Sequence, residues 1–148
     1  MFEARNILFF DPFYFKNGNT AKAKYFVVLK IIKDKAILAS LPTSKDHIPG
    51  FIELKDWCIE LPDININCFI ITPETQVTEC GKHFPRNTFL YGQHIDDFDI
   101  AMLHELYPLE NTDFVIWGKM EKLLYNKIIN CFLHSKSIKR KYRAILAY

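Results

Sequence analysis

Hydrophobic and polar residues follow two different periods along this chain, and the change comes about two thirds of the way along. The first part carries short runs of β-branched and aromatic residues separated by turn residues, which is typical of antiparallel strands. The last part repeats its apolar residues every three or four positions, as amphipathic helices do. The pattern predicts a single domain with a β-rich part at about 8–95 and a helical part at about 96–148.

The β-rich part contains five strand candidates. Turn residues separate them: Asn17-Gly18 precedes the first, and Pro42 ends the second because proline has no N–H to donate to a sheet. Short strands joined by short turns are typical of a small antiparallel barrel or sandwich. The expected fold class is therefore mainly β (α+β), with helices at the C-terminal end. The predicted strands are 24–32, 36–41, 51–54, 68–71 and 88–91.

The first predicted helix spans residues 98–106. Asp96 or Asp97 can cap it, because a carboxylate accepts hydrogen bonds from the N–H groups that the first helical turn leaves free. Ile100, Leu103 and Tyr107 share one face of this helix, and the proline at position 108 stops it. Together these features predict a short amphipathic helix.

A longer helix is predicted from a cap at Thr112 or Asp113 to about position 133. Its polar positions face away from an apolar stripe at helical spacing. The tail at 137–148 is predicted to be either a third helix or a frayed arm. The stripe consists of Trp117, Met120, Leu124, Ile128 and Cys131 or Phe132.

Composition indicates a globular protein. Of the 148 residues, 49% are hydrophobic and 24% are charged, which is ordinary for a folded domain. No apolar run approaches the roughly 20 residues that span a bilayer, and the N-terminus lacks the features of a secretory signal. We therefore expect no membrane partner and a cytoplasmic location. The four cysteines, which include no Cys-x-x-Cys pair, are predicted to be small, reduced, buried residues: Cys58, Cys68, Cys80 and Cys131.

Positive charge is concentrated towards the C-terminal end. Residues 114–148 hold 8 Lys/Arg and one acid, whereas residues 1–113 hold 11 basic and 16 acidic residues. This asymmetry favours a polyanionic partner or a self-complementary assembly. The predicted phosphate-binding residues of the tail are Lys139, Arg140, Lys141 and Arg143. The alternatives for this tail are a solvated helix face, or a face that docks on the acidic body of a second subunit.

Motifs for cofactors and metals are absent or incomplete. The chain has 5 glycines, no glycine-rich phosphate loop and no His-Glu-x-x-His motif. Cys80 and His83 share one turn, with Cys68 and His94 in neighbouring segments. A structural zinc site, however, usually brings paired ligands from both sides, and only one close pair is present here. We therefore predict no cofactor and no metal.

The most informative stretch combines a strand, a hairpin and a polar loop. The segment 24–29 (KYFVVL) opens the first strand, and the segment 41–45 (LPTSK) follows the second. In this order they resemble the core of the MazF/PemK family of toxin endoribonucleases. There, a strand opening with Arg-Pro is followed by a Pro-x-Thr-Ser/Thr-Lys-like segment. Lys24 stands at the position of the family's arginine, Tyr25 at that of its proline and Thr43 at that of its threonine.

The resemblance implies an SH3-like barrel with appended helices, usually dimeric, that cleaves single-stranded RNA without a metal. The ribose 2′-hydroxyl attacks the adjacent phosphate, and a cation together with a hydroxyl donor stabilises the charge that develops. Lys24 and Thr43 would be the catalytic residues and would face one concave hollow. Ser44, Lys45 and His47 would bind the substrate. The implied protein partners are an antitoxin, as in bacterial toxin–antitoxin pairs, and a second copy of the chain.

Each of these residues also has a structural interpretation. Lys24 can be a solvated lysine at a strand edge. Thr43 and Ser44 can satisfy the backbone of a turn, and His47 can be a loop histidine without a chemical role. The alternative function is a non-catalytic SH3-like barrel that binds a protein partner or RNA through its basic C-terminal segment. Lysine at the arginine position favours this alternative, because an ammonium group lacks the planar, bidentate fork of a guanidinium.

Overall fold

Eight strands and three α-helices form the part of the chain that the structure describes. The structure is a computed structural model that describes residues 2–42, 48–50 and 57–147, with the backbone alone at position 57. The strands are β1 (Asn6–Phe13), β2 (Lys22–Ile32), β3 (Lys35–Ser40), β4 (Trp57–Leu61), β5 (Ile66–Ile71), β6 (Thr88–Tyr91), β7 (Asp96–Asp99) and β8 (Phe114–Lys119). The helices are α1 (Ile100–Leu106), α2 (Lys122–Leu133) and α3 (Arg140–Leu146). No described helix is both long and apolar enough to cross a membrane.

The strands form two antiparallel sheets. The larger has the order β7-β3-β2-β1-β8, and the smaller has the order β4-β5-β6. A hydrogen bond of 2.8 Å from the Phe89 N–H to the Pro42 carbonyl joins the start of β6 to the chain just after β3. The α+β class with mainly antiparallel strands is therefore confirmed.

The expected barrel is not closed within the described residues. Closing a barrel requires the outer strands of a sheet to pair with each other. Here β7 and β8 remain at opposite edges of the larger sheet, while β4 to β6 form a sheet of their own. The two sheets are therefore open, and the SH3-like closure that the resemblance implies is absent.

Both faces of the larger sheet are buried, and this is where most of the aromatic residues lie. Successive side chains of a strand point to opposite faces. In β2, accordingly, Val27 and Leu29 join a core with α2 and α3, whereas Phe26 and Val28 join a second core with α1. A third, smaller cluster includes Ile59, Cys68 and other residues of the smaller sheet. The larger sheet thus packs against α1 on one face, and against α2, α3 and part of the smaller sheet on the other.

Four of the five predicted strands are confirmed, with shifts of one or two residues at their ends: β2, β3, β5 and β6. The predicted strand at 51–54 lies outside the described residues. Strands β1, β4, β7 and β8 are additional. β1 is an interior strand of the larger sheet, where it pairs with both β2 and β8.

The first predicted helix begins later than expected. Asp96 and Asp97 are not its caps, because they belong to β7 and pair with Leu38 and Ile37 of β3. The N-cap is Asp99, whose Oδ1 accepts a hydrogen bond of 3.0 Å from the Ala101 N–H. Pairing with β3 therefore extends the strand to the last of the three aspartates, and the helix starts only after it.

The long predicted helix is a strand followed by a shorter helix, so its predicted start at Thr112 or Asp113 is wrong. Residues 114–119 form β8, which contains a β-branched and aromatic run and pairs with β1. Trp117 and Met120 consequently lie outside α2. Glu121 caps α2, and its Oε2 accepts hydrogen bonds from the N–H groups of the next turn at 2.9 and 3.2 Å. The rest of the apolar stripe, from Leu124 to Phe132, is buried as expected.

The cysteines differ from the prediction of four reduced, buried residues. Cys58 and Cys131 form a disulfide with a Cα–Cα distance of 5.5 Å, which joins β4 to α2. Cys80 is exposed, and only Cys68 is a free, buried thiol. The sequence spacing cannot reveal the bond, because the two residues lie 73 positions apart and only the packing of α2 against the smaller sheet brings them together.

Candidate nucleic-acid site

The predicted site residues fall in two groups. Lys24 lies in β2, within the described part of the chain. The residues that would accompany it lie outside the described residues: Thr43, Ser44, Lys45 and His47. The expected meeting of Lys24 with Thr43 in one hollow therefore stays a prediction.

Lys24 borders an open cavity of about 460 Å³ at one end of the larger sheet. It precedes Phe26 by two residues, so both side chains lie on the same face of β2. Phe13 and Phe15, at the end of β1 and in the loop after it, form an apolar wall. Residues around the start of β7 form the opposite wall. The polar and charged residues that line the cavity are Lys16, Asn17, Asn19, Lys24, Ser40, Gln93, His94, Asp96 and Lys139.

The electrostatic environment of Lys24 disfavours its charge. Burial, followed by the nearby Lys22 ammonium, lowers the pKa of Lys24 below the 10.5 of an ordinary lysine. Desolvation and a like charge both raise the free energy of an ammonium group. An anion placed beside Lys24 would oppose both effects, so the site favours an anionic ligand.

Two polar side chains in the cavity wall have buried oxygen atoms without hydrogen-bond partners among the described residues. One is Ser40 Oγ, in a residue that is 9% exposed, and the other is Gln93 Oε1. Leaving a buried polar atom unpaired costs free energy, so such atoms are uncommon in folded proteins. A polar ligand in the cavity could supply a partner after a small side-chain rotation.

The rim of the cavity also contains a lysine that forms ion pairs with two aspartates. The Lys16 ammonium lies 3.3 Å from Asp96 Oδ2 and 3.9 Å from Asp97 Oδ1. It also lies over the Phe98 ring, 4.3 Å from its centroid, and donates to the Asp97 carbonyl. Lys16 therefore offsets the acidic charge of β7 at the rim, and Lys24 and Lys139 are the cations of the wall without a described ion pair.

The basic tail is a helix that docks on the acidic residues of β7 in the same chain. Tyr142 is buried, and its hydroxyl lies 3.2 Å from both Asp96 Oδ1 and Asp97 Oδ2. Burial and these two carboxylates raise the pKa of Tyr142. Lys141 adds an ion pair with Asp97 at 3.6 Å. This docking places Lys139, which precedes α3, at the cavity that Lys24 lines.

The four predicted tail cations therefore separate. Lys139 reaches the cavity, whereas Lys141 is held by Asp97. Arg140 is exposed on the first turn of α3. Arg143 is half-buried, and its Nε has no hydrogen-bond partner among the described residues. The ion pair with Asp97 offsets part of the positive charge of the tail, and phosphate binding by these four residues stays a prediction.

The considered zinc ligands do not assemble. Cys80 Sγ lies 3.2 Å from Thr78 Oγ1, and His83 Nδ1 lies 3.0 Å from the Pro73 carbonyl oxygen. Cys68 is buried, and burial raises the pKa of its thiol to about 12. Within residues 2–42, 48–50 and 57–147, no group of three or more His, Cys, Asp or Glu side chains could hold a metal ion.

Three residues of the cavity have no role in the sequence-based prediction: Lys16, Ser40 and Gln93. Lys16 lies in the turn between β1 and β2. A turn residue marks the end of a strand in the sequence but does not indicate which other strands its side chain approaches. Ser40 could be noticed only weakly from the sequence, because a polar residue directly follows the apolar run 36–39 of β3. Gln93 has no local signal, because its position depends on how the chain turns between the two sheets.

Comparisons with protein-family models, with curated proteins and with solved structures found no match to this chain. The resemblance to the MazF/PemK family therefore depends on the segments 24–29 and 41–45 alone.

Proposed function

We propose that this chain is a toxin-like, metal-independent endoribonuclease that binds single-stranded RNA in the cavity beside Lys24. One observation carries the proposal. Lys24 and Lys139, which are far apart in the sequence, line the same open cavity of about 460 Å³. Ligand pockets commonly have volumes of about 300–1,000 Å³, so there is room for one nucleotide.

The chemistry of the wall suits a nucleotide. Ammonium groups attract a phosphate, and the half-buried Phe15 ring offers an apolar surface for a base. Ser40 and Gln93 can form hydrogen bonds with a sugar or a base. Asp96 disfavours an anion at its end of the cavity, so we place the phosphate between Lys24 and Lys139 and the base towards Phe15.

In the proposed reaction, the 2′-hydroxyl of the RNA gives its proton to water, its oxygen forms a bond to the adjacent phosphorus atom, and the bond from phosphorus to the 5′-oxygen breaks. The products are a 2′,3′-cyclic phosphate and a 5′-hydroxyl. Lys24 stabilises the negative charge that accumulates on the phosphate oxygens. Its lowered pKa also makes it a better proton donor to the leaving oxygen than an ordinary lysine. Thr43 assists as a hydroxyl donor.

The proposal includes partners and a location. An antitoxin protein and a second copy of the chain are the proposed protein partners, and the proposed location is the cytoplasm, where single-stranded RNA is found. The disulfide between Cys58 and Cys131 works against this location, because cytosolic thiols are usually kept reduced. Counting free thiols by rapid alkylation of the protein in intact cells tests this point directly.

A second candidate is a non-catalytic module that binds RNA or a protein partner through its basic C-terminal segment, of which Lys139 lines the cavity. Lys24 favours it, because a lysine replaces the arginine on which the family's chemistry depends. The docking of α3 limits this candidate, since Tyr142 and Lys141 of the basic segment contact aspartates of the same chain. Both candidates predict binding at the cavity, and only the first predicts cleavage.

The test is a cleavage assay with 5′-labelled single-stranded RNA in the presence of EDTA. The wild type is expected to produce fragments ending in a 2′,3′-cyclic phosphate. Lys24→Ala should slow cleavage about 100-fold or more, and Thr43→Ala should also slow it. Lys122→Ala, at an exposed position on α2, is the matched control and should cleave like the wild type.

The same variants are then compared in binding to a 2′-O-methyl RNA, whose nucleophile is blocked. Weaker binding by Lys24→Ala without any cleavage by the wild type would favour the second candidate. Cleavage that persists unchanged in the double variant Lys24→Ala, Thr43→Ala would show that the proposed site is wrong. Absence of both binding and cleavage would refute an RNA function.

A further inference from the structure

A second cavity lies where the smaller sheet meets α2, and the disulfide forms part of its wall. Its volume is about 410 Å³, and Cys58 and Cys131 line it together with Glu60, Lys127, Asn130 and His134. We propose that this cavity is a site of thiol–disulfide exchange, in which a small anionic thiol attacks Cys58 and forms a mixed disulfide with it.

The two sulfur atoms differ in access, and this decides which one reacts. Cys58 is exposed on β4, an edge strand of the smaller sheet. Cys131 is 4% exposed and belongs to the buried stripe of α2. Because exchange requires the incoming thiolate to reach a sulfur atom, Cys58 is the sulfur that is attacked and Cys131 is the leaving group.

The leaving sulfur has a hydrogen-bond donor. Asn67 Nδ2 lies 3.5 Å from Cys131 Sγ and 3.9 Å from Cys58 Sγ. Asn67 is fully buried, so its amide is held in place when negative charge develops on Cys131. A donor placed nearer to the leaving sulfur than to the attacked one stabilises the departure of Cys131.

The charges in the wall select an anionic thiol. Lys127 and His134 are exposed side chains of the wall on the α2 side. Glu60 is the acidic residue of the wall, and its carboxylate is held by the segment after α2: Oε1 accepts from Ser135 Oγ at 2.9 Å and Oε2 from the Lys136 N–H at 3.2 Å. A thiol that carries carboxylates is therefore attracted to the Lys127 side of the cavity.

The contacts of Glu60 also allow the reaction to occur in the folded protein. They join β4 to the segment after α2 independently of the disulfide, so β4 stays docked when the sulfur–sulfur bond breaks. In the exchange, the thiolate sulfur bonds to Cys58 Sγ, the bond between Cys58 and Cys131 breaks, and Cys131 leaves with the electron pair and takes a proton from water. The thiol is the co-reactant, and a second thiol molecule can release Cys58 as a free thiolate.

The first experiment treats the oxidised protein with reduced glutathione, which is a thiol with two carboxylates, and quenches the mixture with N-ethylmaleimide. Peptide mapping by mass spectrometry is expected to find glutathione on Cys58 and maleimide on Cys131. Glutathione on Cys131 would overturn the proposal. So would an adduct that forms only in urea, because the disulfide would then be closed to thiols in the native state.

The second experiment tests the charge selection. Lys127→Gln should slow the reaction with glutathione about threefold or more at low ionic strength, and should slow the reaction with 2-mercaptoethanol, whose thiolate carries no carboxylate, by less. High salt should remove the difference, since it screens exposed charges. Lys122→Gln, on the same helix, is the matched control. Equal slowing of both thiols, or no slowing of either, would contradict an anion-selective cavity.

Discussion

Reduction of the Cys58–Cys131 disulfide is expected to lower the free energy of unfolding by about 4 kcal/mol. The magnitude follows from the unfolded chain. The bond closes a loop between residues 73 positions apart, and a loop of this length removes chain entropy worth about 4 kcal/mol at 25 °C. Domains of this kind have total stabilities of about 5–15 kcal/mol, so the loss is large.

The assay is urea denaturation followed by circular dichroism, with and without a reductant. The reduced protein should unfold at a lower urea concentration. The free energy of unfolding of the reduced protein should fall at least as steeply with urea concentration as that of the oxidised protein, because the uncrosslinked chain exposes more surface when it unfolds. The variant Cys58→Ser, Cys131→Ala supplies the control, since it should unfold at the same urea concentration in both conditions.

The reasoning is refuted if the wild type's free energy of unfolding with a reductant lies within about 1 kcal/mol of its value without one, since the loop entropy predicts a much larger difference. The two sulfur atoms would then not be joined in the oxidised protein, or the unfolded chain would keep β4 near α2 without the bond. Alkylation of the unfolded, unreduced protein separates these cases. A closed bond leaves two reactive thiols, whereas an open bond leaves four, as the four cysteines of the chain require.

Three further predictions concern the remaining elements. Tyr142→Phe should lower the free energy of unfolding by about 1 kcal/mol in urea denaturation, because the carboxylate of Asp96 loses a buried donor while the ring stays packed. RNA affinity, measured by fluorescence anisotropy, should fall as pH rises through the lowered pKa of Lys24, since the bound phosphate favours the charged lysine; the same fall in Lys24→Ala would contradict this assignment. Gly118→Ala should lower the melting temperature, because the added Cβ would lie 2.6 Å from Thr78 Cγ2, and Thr78→Ser should restore part of the loss.

Local patterns along the chain predicted many of the elements correctly. The run of β-branched and aromatic residues in β2 and the turn at Lys33 identify the hairpin of β2 and β3, because these residue types favour strands and turns respectively. The apolar stripe of α2 predicts its buried face through its helical spacing. In both cases the signal lies within a few neighbouring residues, so no knowledge of the rest of the fold is needed.

The start of α2 shows where local patterns fail. Trp117 and Met120 fit a helical stripe, yet Trp117 lies in β8 because β1 offers a row of hydrogen-bond partners to that segment. Asp96 and Asp97 fit a helix cap, yet they form a strand because they pair with β3. Residues 43–47 and 51–54, which carry the rest of the predicted site and one predicted strand, lie outside the described residues, so these predictions stay open.

What the amino-acid sequence determined by itself is the class of the fold, its central hairpin and the positive charge of the tail. The tertiary structure alone decided which distant groups meet: Lys24 with Lys139 at one cavity, Cys58 with Cys131 across a sheet and a helix, and Tyr142 with the aspartates of β7. The physical reason is the range of the interactions. Periodicity and capping act over a few residues, whereas strand pairing and helix docking depend on surfaces that exist only once the whole chain has packed.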